Sequence, residues 1–178
     1  MRNRTRLHAL LGVVAVAGVL VTPTPDVRAA IPPGEATHWA SARTGYLLGC
    51  GGCHGEHGHS SPAIVPDLTG QIGYFLCTPE GRAYLVRLPN VAFAHLPSDQ
   101  LAALVNYMVF NLGGSSAPKD ARPYDAAEVD RLRREPFRMT DFIAYRQKVV
   151  AGVVRACPQA AHFSSFAPDD PYVMTLKH

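Results

Sequence analysis

Leu47-Leu48-Gly49-Cys50-Gly51-Gly52-Cys53-His54-Gly55 is the stretch on which the reading of this chain turns. Two thiols are separated by two residues, and an imidazole follows the second directly, so all three groups fall within one turn of chain. Upstream, residues 37–48 place Trp39, Ala42 and Tyr46 on overlapping helical faces, with Thr37 as a candidate N-cap. A helix therefore leads straight into Cys50. Downstream, residues 51–73 are rich in Gly, Pro, Ser and His, which are residues of turns and loops.

Three chemistries use such a pattern. A C-x-x-C pair is a redox dithiol in a βαβ setting, which this chain does not provide. Thiolates and imidazoles together bind zinc, and His57 and His59 lie near, but no second ligand pair of comparable spacing follows. C-x-x-C-H is the pattern of covalent haem attachment. There the thiols of Cys50 and Cys53 add across the two haem vinyl groups as thioethers, and His54 gives the iron a proximal nitrogen. Gly51 and Gly52 leave room for the edge of the macrocycle. The haem would also supply much of the apolar core for a loop-rich chain. The motif occurs once, so one haem c is expected.

The remaining sequence reads as helices. Thr78 caps a short helix with Pro79 at its first position, running to about Leu88 before Pro89. From Ser98, Leu101, Leu104, Val105, Met108 and Leu112 form one apolar stripe, ended by Gly113-Gly114. A Ser/Pro/Lys linker covers residues 113–123. Asp125 with Glu128 makes a capping-box-like start to a helix reaching Glu135, and Thr140 caps another reaching about Val154. Neither an internal repeat nor a convincing strand is visible, so the expected class is all-α.

Residues 1–29 read as a signal peptide: Arg2, Arg4 and Arg6 precede an apolar run of 13 residues, 9–21, and Val27-Arg28-Ala29 offers a cleavage site. The run is shorter than the roughly 20 residues of a spanning helix, so no membrane span is expected after cleavage. Without the four arginines and one aspartate of this segment, the chain's 17 basic and 14 acidic residues become 13 of each. The formal charge of +3 thus belongs to the leader and gives no support to nucleic-acid binding. Export to the periplasm is expected, and with Cys50 and Cys53 committed to haem, Cys77 and Cys157 make a plausible disulfide.

Over residues 37–112 the chain resembles the class I cytochromes c. The resemblance is carried by Gly45-Tyr46, Cys50 to His54, Pro66-Asp67-Leu68, and Tyr107 in the LAALVNYM stretch. It implies a cytochrome c fold wrapping one covalent haem, with a domain at 30–117 and a helical extension at 118–178 packed on or tethered to it. The stretch from Gly81 to Met108 further resembles small periplasmic cytochromes associated with amine or alcohol oxidation. One departure stands out. The family places a methionine before its last core helix as sixth iron ligand, and here that loop, residues 88–97, holds His95 instead. His95 is the expected distal ligand, with Met108 as the alternative; Met139 and Met174 could serve only if the extension folds back over the haem. Arg82, Tyr84 and Arg87 are candidates for propionate contacts or for a solvated face. The expected function is single-electron transfer between redox protein partners, a dehydrogenase as donor and an oxidase or cytochrome as acceptor. A gas sensor or minor peroxidase with an open distal site, or a haem subunit docked to a dehydrogenase, are the alternatives.

Overall fold

The computed structural model describes residues 33–60, 65–138 and 142–162, with α1 side chains described from His38 and His162 by its backbone alone. The expected signal segment, Met139, Thr140 and Met174 lie outside them. The described residues are helical, with no strand among them, as the all-α expectation requires. The chain runs through α1 (Pro33–Gly49), α2 (Gly51–His54), a 3-10 stretch (Ile72–Cys77), α3 (Pro79–Arg87), α4 (Pro89–Ala92) and α5 (Ser98–Asn106). A π-helical turn (Tyr107–Leu112) prolongs α5, and α6 (Ala126–Arg133), α7 (Phe142–Ala156) and a 3-10 turn (Pro158–His162) follow. None of the described helices is long and apolar enough to cross a membrane.

α1 is described from Pro33 to Gly49, so Thr37 lies inside the helix and is not its cap. α1 packs on α5. A Cβ at Gly45 would stand 3.3 Å from Leu104 Cδ1, so the missing side chain is what lets the two helices approach. Beside it Tyr46 is fully buried, its ring 5.7 Å from that of Tyr107, which also meets Trp39 at 6.2 Å. The expected stripe of Leu101, Leu104, Val105, Met108 and Leu112 is buried throughout. Its last turn widens to the π form, Gly113 N–H donating to Met108 O at 2.8 Å, and Gly114 then takes a φ of 53°.

α3 starts as expected, with Thr78 Oγ1 accepting from Gly81 N–H at 2.9 Å. Pro89 stops it and also opens α4, a turn the sequence reading did not anticipate. α6 likewise starts on Asp125, whose side chain accepts from Glu128 N–H at 2.8 Å.

Three fastenings hold the extension to the core. Arg82 Nε and Nη2 donate to the two Glu128 carboxylate oxygens at 2.7 and 2.8 Å, and its guanidinium lies 3.9 Å from the centre of the Tyr124 ring. Asn106 exchanges two hydrogen bonds with the Tyr124 backbone, at 2.9 and 2.8 Å. Cys77 and Cys157 form a disulfide with a Cα–Cα distance of 6.1 Å, linking the start of α3 to the end of α7. Burial pushes the Glu128 carboxyl up, but the hydrogen bond and charge of Arg82, with those of Arg122, outweigh it and hold the group below the usual carboxylate value.

Two stability measurements follow from these fastenings. Opening the 80-residue span by Cys77→Ala with Cys157→Ala should cost about 4 kcal/mol in guanidinium unfolding by the chain-entropy relation; unchanged midpoints would contradict the disulfide's role. Glu128→Gln leaves a nearly buried guanidinium without its anion and should cost about 3 kcal/mol at pH 7. Because the native pKa of Glu128 is depressed, its contribution is present above the unfolded value and fades as pH falls through the native one. Wild type and variant should therefore converge as pH is lowered from about 4.3.

Candidate cofactor site

The haem motif is shaped by a single turn. Cys50 N–H still donates to Tyr46 O at 2.7 Å, continuing α1, while Cys50 O accepts from Cys53 N–H at 3.2 Å and His54 N–H at 3.0 Å. Both thiols and the imidazole are thereby carried on one turn. Cys50 is half-buried and Cys53 exposed, and both thiols are free. Burial, then the neighbouring Cys53, pushes the Cys50 thiol up.

The chain then reverses. Gly55 has a φ of 73°, and a Cβ there would stand 2.2 Å from His59 O; Tyr46 Oη donates to Gly55 O at 2.6 Å, tying the turn to α1. Leu68 N–H donates to Gly58 O at 2.8 Å, Ser60 N–H and Oγ donate to Asp67 Oδ1 at 2.6 and 3.0 Å, and Gly70 N–H donates to Leu112 O at 2.9 Å. These bonds bring Pro66 back against His54, whose Nδ1–H donates to Pro66 O at 2.9 Å. A carbonyl can only accept, so Nδ1 carries the proton and Nε2 keeps its lone pair. Burial lowers the His54 pKa, against the opposing pull of the Pro66 carbonyl and the Asp67 carboxylate, which favours the neutral ring that a metal needs.

Cys50, Cys53 and His54 open on a crevice of about 470 Å³, in the range of roughly 300–1,000 Å³ common for cofactor sites. Pro66 and Leu68 line it from the returning loop, Tyr84 and Leu85 from α3, Leu88 from the link between α3 and α4, Asn90 from α4, and Met108 from the π turn. Phe137, Phe142 and Arg146 line it from the extension. Two free thiols, a tautomer-fixed imidazole and a largely apolar crevice fit covalently attached haem: the thiols match its vinyl groups and the walls its macrocycle.

The structure does not bring His95 to this crevice. Arg133 of α6 donates through Nε to Ala92 O at 3.0 Å, through Nη1 to Leu96 O at 2.7 Å and through Nη2 to Ala94 O at 2.5 Å. That grip holds the backbone of the loop against the extension, and His95 is left exposed. Met108, the alternative, is buried and lines the crevice. His57 and His59 are exposed. Arg82 and Arg87, considered as propionate partners, are engaged elsewhere: Arg82 with Glu128, and Arg87 with Glu135 O at 2.6 Å and over the Phe137 ring. Sequence reasoning missed Phe137, Phe142 and Arg146. The available signal was on α7, where Phe142 and Arg146 continue the apolar face of Val149, Val150 and Val153, a position where a cation is out of place.

This helical fold around a C-x-x-C-H turn has the features of a c-type cytochrome, and the comparisons agree. The chain is similar to cytochrome c-552 of Thermus thermophilus, 26% identical over 118 residues, covering 56% of this chain and 90% of the relative. A second cytochrome c-552, from a named strain of the same species, matches with the same identity over 80% of its own length. No protein-family model matches the chain, and neither does any solved structure. The likeness supports a c-type cytochrome with covalently bound haem.

Two substitutions probe this geometry. Gly55→Ala forces a side chain into a left-handed backbone and onto His59 O, and should destabilise the holoprotein by about 2 kcal/mol or more. His95→Ala should leave the ferric and ferrous absorption spectra as they are; a change in spin state would return His95 to the iron.

Proposed function

We propose that the protein is an exported monohaem cytochrome c that carries single electrons between redox proteins in the periplasm. The observation that carries this reading is the hydrogen bond from His54 Nδ1 to Pro66 O, made beside two free thiols at the mouth of an apolar crevice. Cys50 and Cys53 would hold the haem covalently, and His54 Nε2 and Met108 are the side chains that would ligate its iron. Bound there, the haem supplies a one-electron Fe(III)/Fe(II) couple.

The chain's own residues set the conditions for that couple. Pro66 orients the imidazole and strengthens it as a donor. Leu68, Leu85, Met108, Phe137 and Phe142 give the crevice apolar walls, which would favour the less charged ferrous state. Cys53 is exposed, so a haem held there would be within reach of a docked redox partner. The Cys77–Cys157 disulfide supports an oxidising compartment, in line with residues 1–29 as a signal peptide. A dehydrogenase as donor, of the amine- or alcohol-oxidising kind, and an oxidase or second cytochrome as acceptor are the partners this role requires.

The exposure of His95 gives the second reading its weight, because His95 does not line the crevice and an open position on the iron, taken by a gas or peroxide, is the competitor. Absorption and electron paramagnetic resonance spectra of the holoprotein, with and without carbon monoxide, separate the two. A low-spin haem indifferent to carbon monoxide is expected, and Met108→Leu should open it. A ready carbon monoxide complex in the wild type would replace the carrier with a sensor or peroxidase.

A further inference from the structure

We propose that Arg146 is the counter-ion of a haem propionate, delivered into the crevice by a helix outside the cytochrome core; this rests on the haem reading above. Arg146 lines the crevice and is only 8% exposed. Among the described lining residues it is the one with a formal charge near neutral pH. Cys50 and Cys53 become neutral thioethers, His54 is the iron ligand of the reading above, and the remaining lining side chains are apolar or neutral polar groups.

Haem brings two carboxylates to an otherwise apolar crevice. An ionised carboxylate withdrawn from water needs a cation and hydrogen bonds, and a guanidinium matches its two oxygens with a planar pair of donors. The two arginines of α3 do not line the crevice, since Arg82 is bonded to Glu128 and Arg87 to Glu135 O. Tyr84 and Asn90, also in the lining, are neutral donors suited to the remaining carboxylate lone pairs.

The position of Arg146 is imposed by its helix. Val149, Val150 and Val153 on the same face of α7 are buried, and Cys157 ties the helix end to Cys77. The face that packs on the core is thus also the face that brings Arg146 to the crevice. The extension therefore does more than cover the haem: it contributes the charge that stabilises its acidic edge.

The test uses the holoprotein, its Arg146→Gln and Arg146→Lys variants, the Fe(III)/Fe(II) midpoint, and the propionate-bending bands of the resonance Raman spectrum in H2O and D2O. Loss of a nearby cation favours the ferric form. Arg146→Gln should move the reduced-to-oxidised ratio at fixed potential about tenfold toward oxidised, about 59 mV for one electron. Arg146→Lys should recover part of that shift. A propionate band should be deuterium-sensitive in the wild type, weakened in the lysine variant and insensitive in the glutamine variant. If the glutamine variant yields no holoprotein, the wild-type and lysine bands decide. A wild-type band insensitive to deuterium, or a glutamine variant that alters carbon monoxide affinity while the bands stay unchanged, would overturn the proposal. Absence of acid-stable haem in the wild type would instead overturn the haem reading itself, and this inference with it.

Discussion

An imidazole serves as a reliable iron ligand only when its tautomer and orientation are fixed, and here one hydrogen bond, His54 Nδ1 to Pro66 O, does both. Much of the neighbouring structure serves that bond. The loop must leave His54, reverse at Gly55 and return to Pro66 within 12 residues, which accounts for the left-handed glycine, the Ser60–Asp67 clasp and the Gly58–Leu68 bond. The α1–α5 crossing provides the platform, since Tyr46 in that crossing also donates to Gly55 O. Core packing and cofactor geometry are thus coupled through single residues.

The extension changes what kind of crevice this core makes. Phe137 and Phe142 add apolar wall, Arg146 adds charge, and Arg133 draws the 92–96 backbone toward α6. The loop expected to supply a distal ligand is thereby occupied with structural work. His95, in the loop that Arg133 holds, is exposed and does not line the crevice. Its attachment is covalent at Cys157 and ionic at Glu128, so the haem environment is linked to contacts far from the motif in sequence.

The parts of this architecture that were legible in sequence are those governed by local rules. The helix from Ser98, the Thr78-Pro79 and Asp125 starts and the one-turn geometry of the motif follow from spacing and capping, and each is found where expected. Cys77 and Cys157 could be paired by setting aside the motif cysteines. What could not be read was set by contacts between distant segments. His95 was expected at the iron from its place before α5, yet a guanidinium 37 to 41 residues away decides where its loop lies. Arg146 was not singled out in sequence, because only packing shows that its face of α7 meets the crevice. Thr37, read as a cap from its residue type, lies inside α1, since a helix that is already running upstream leaves no mark at a single threonine.

Covalent attachment of haem at Cys50 and Cys53 is the claim on which the function, the ligand set and the role of the extension all rest. Acid-acetone extraction of the purified holoprotein, followed by the pyridine haemochrome spectrum of pellet and supernatant, measures it directly. Haem should stay with the wild-type pellet and be lost from the Cys50→Ala, Cys53→Ala double variant. Haem that extracts from the wild type, or that survives extraction in the double variant, would contradict it.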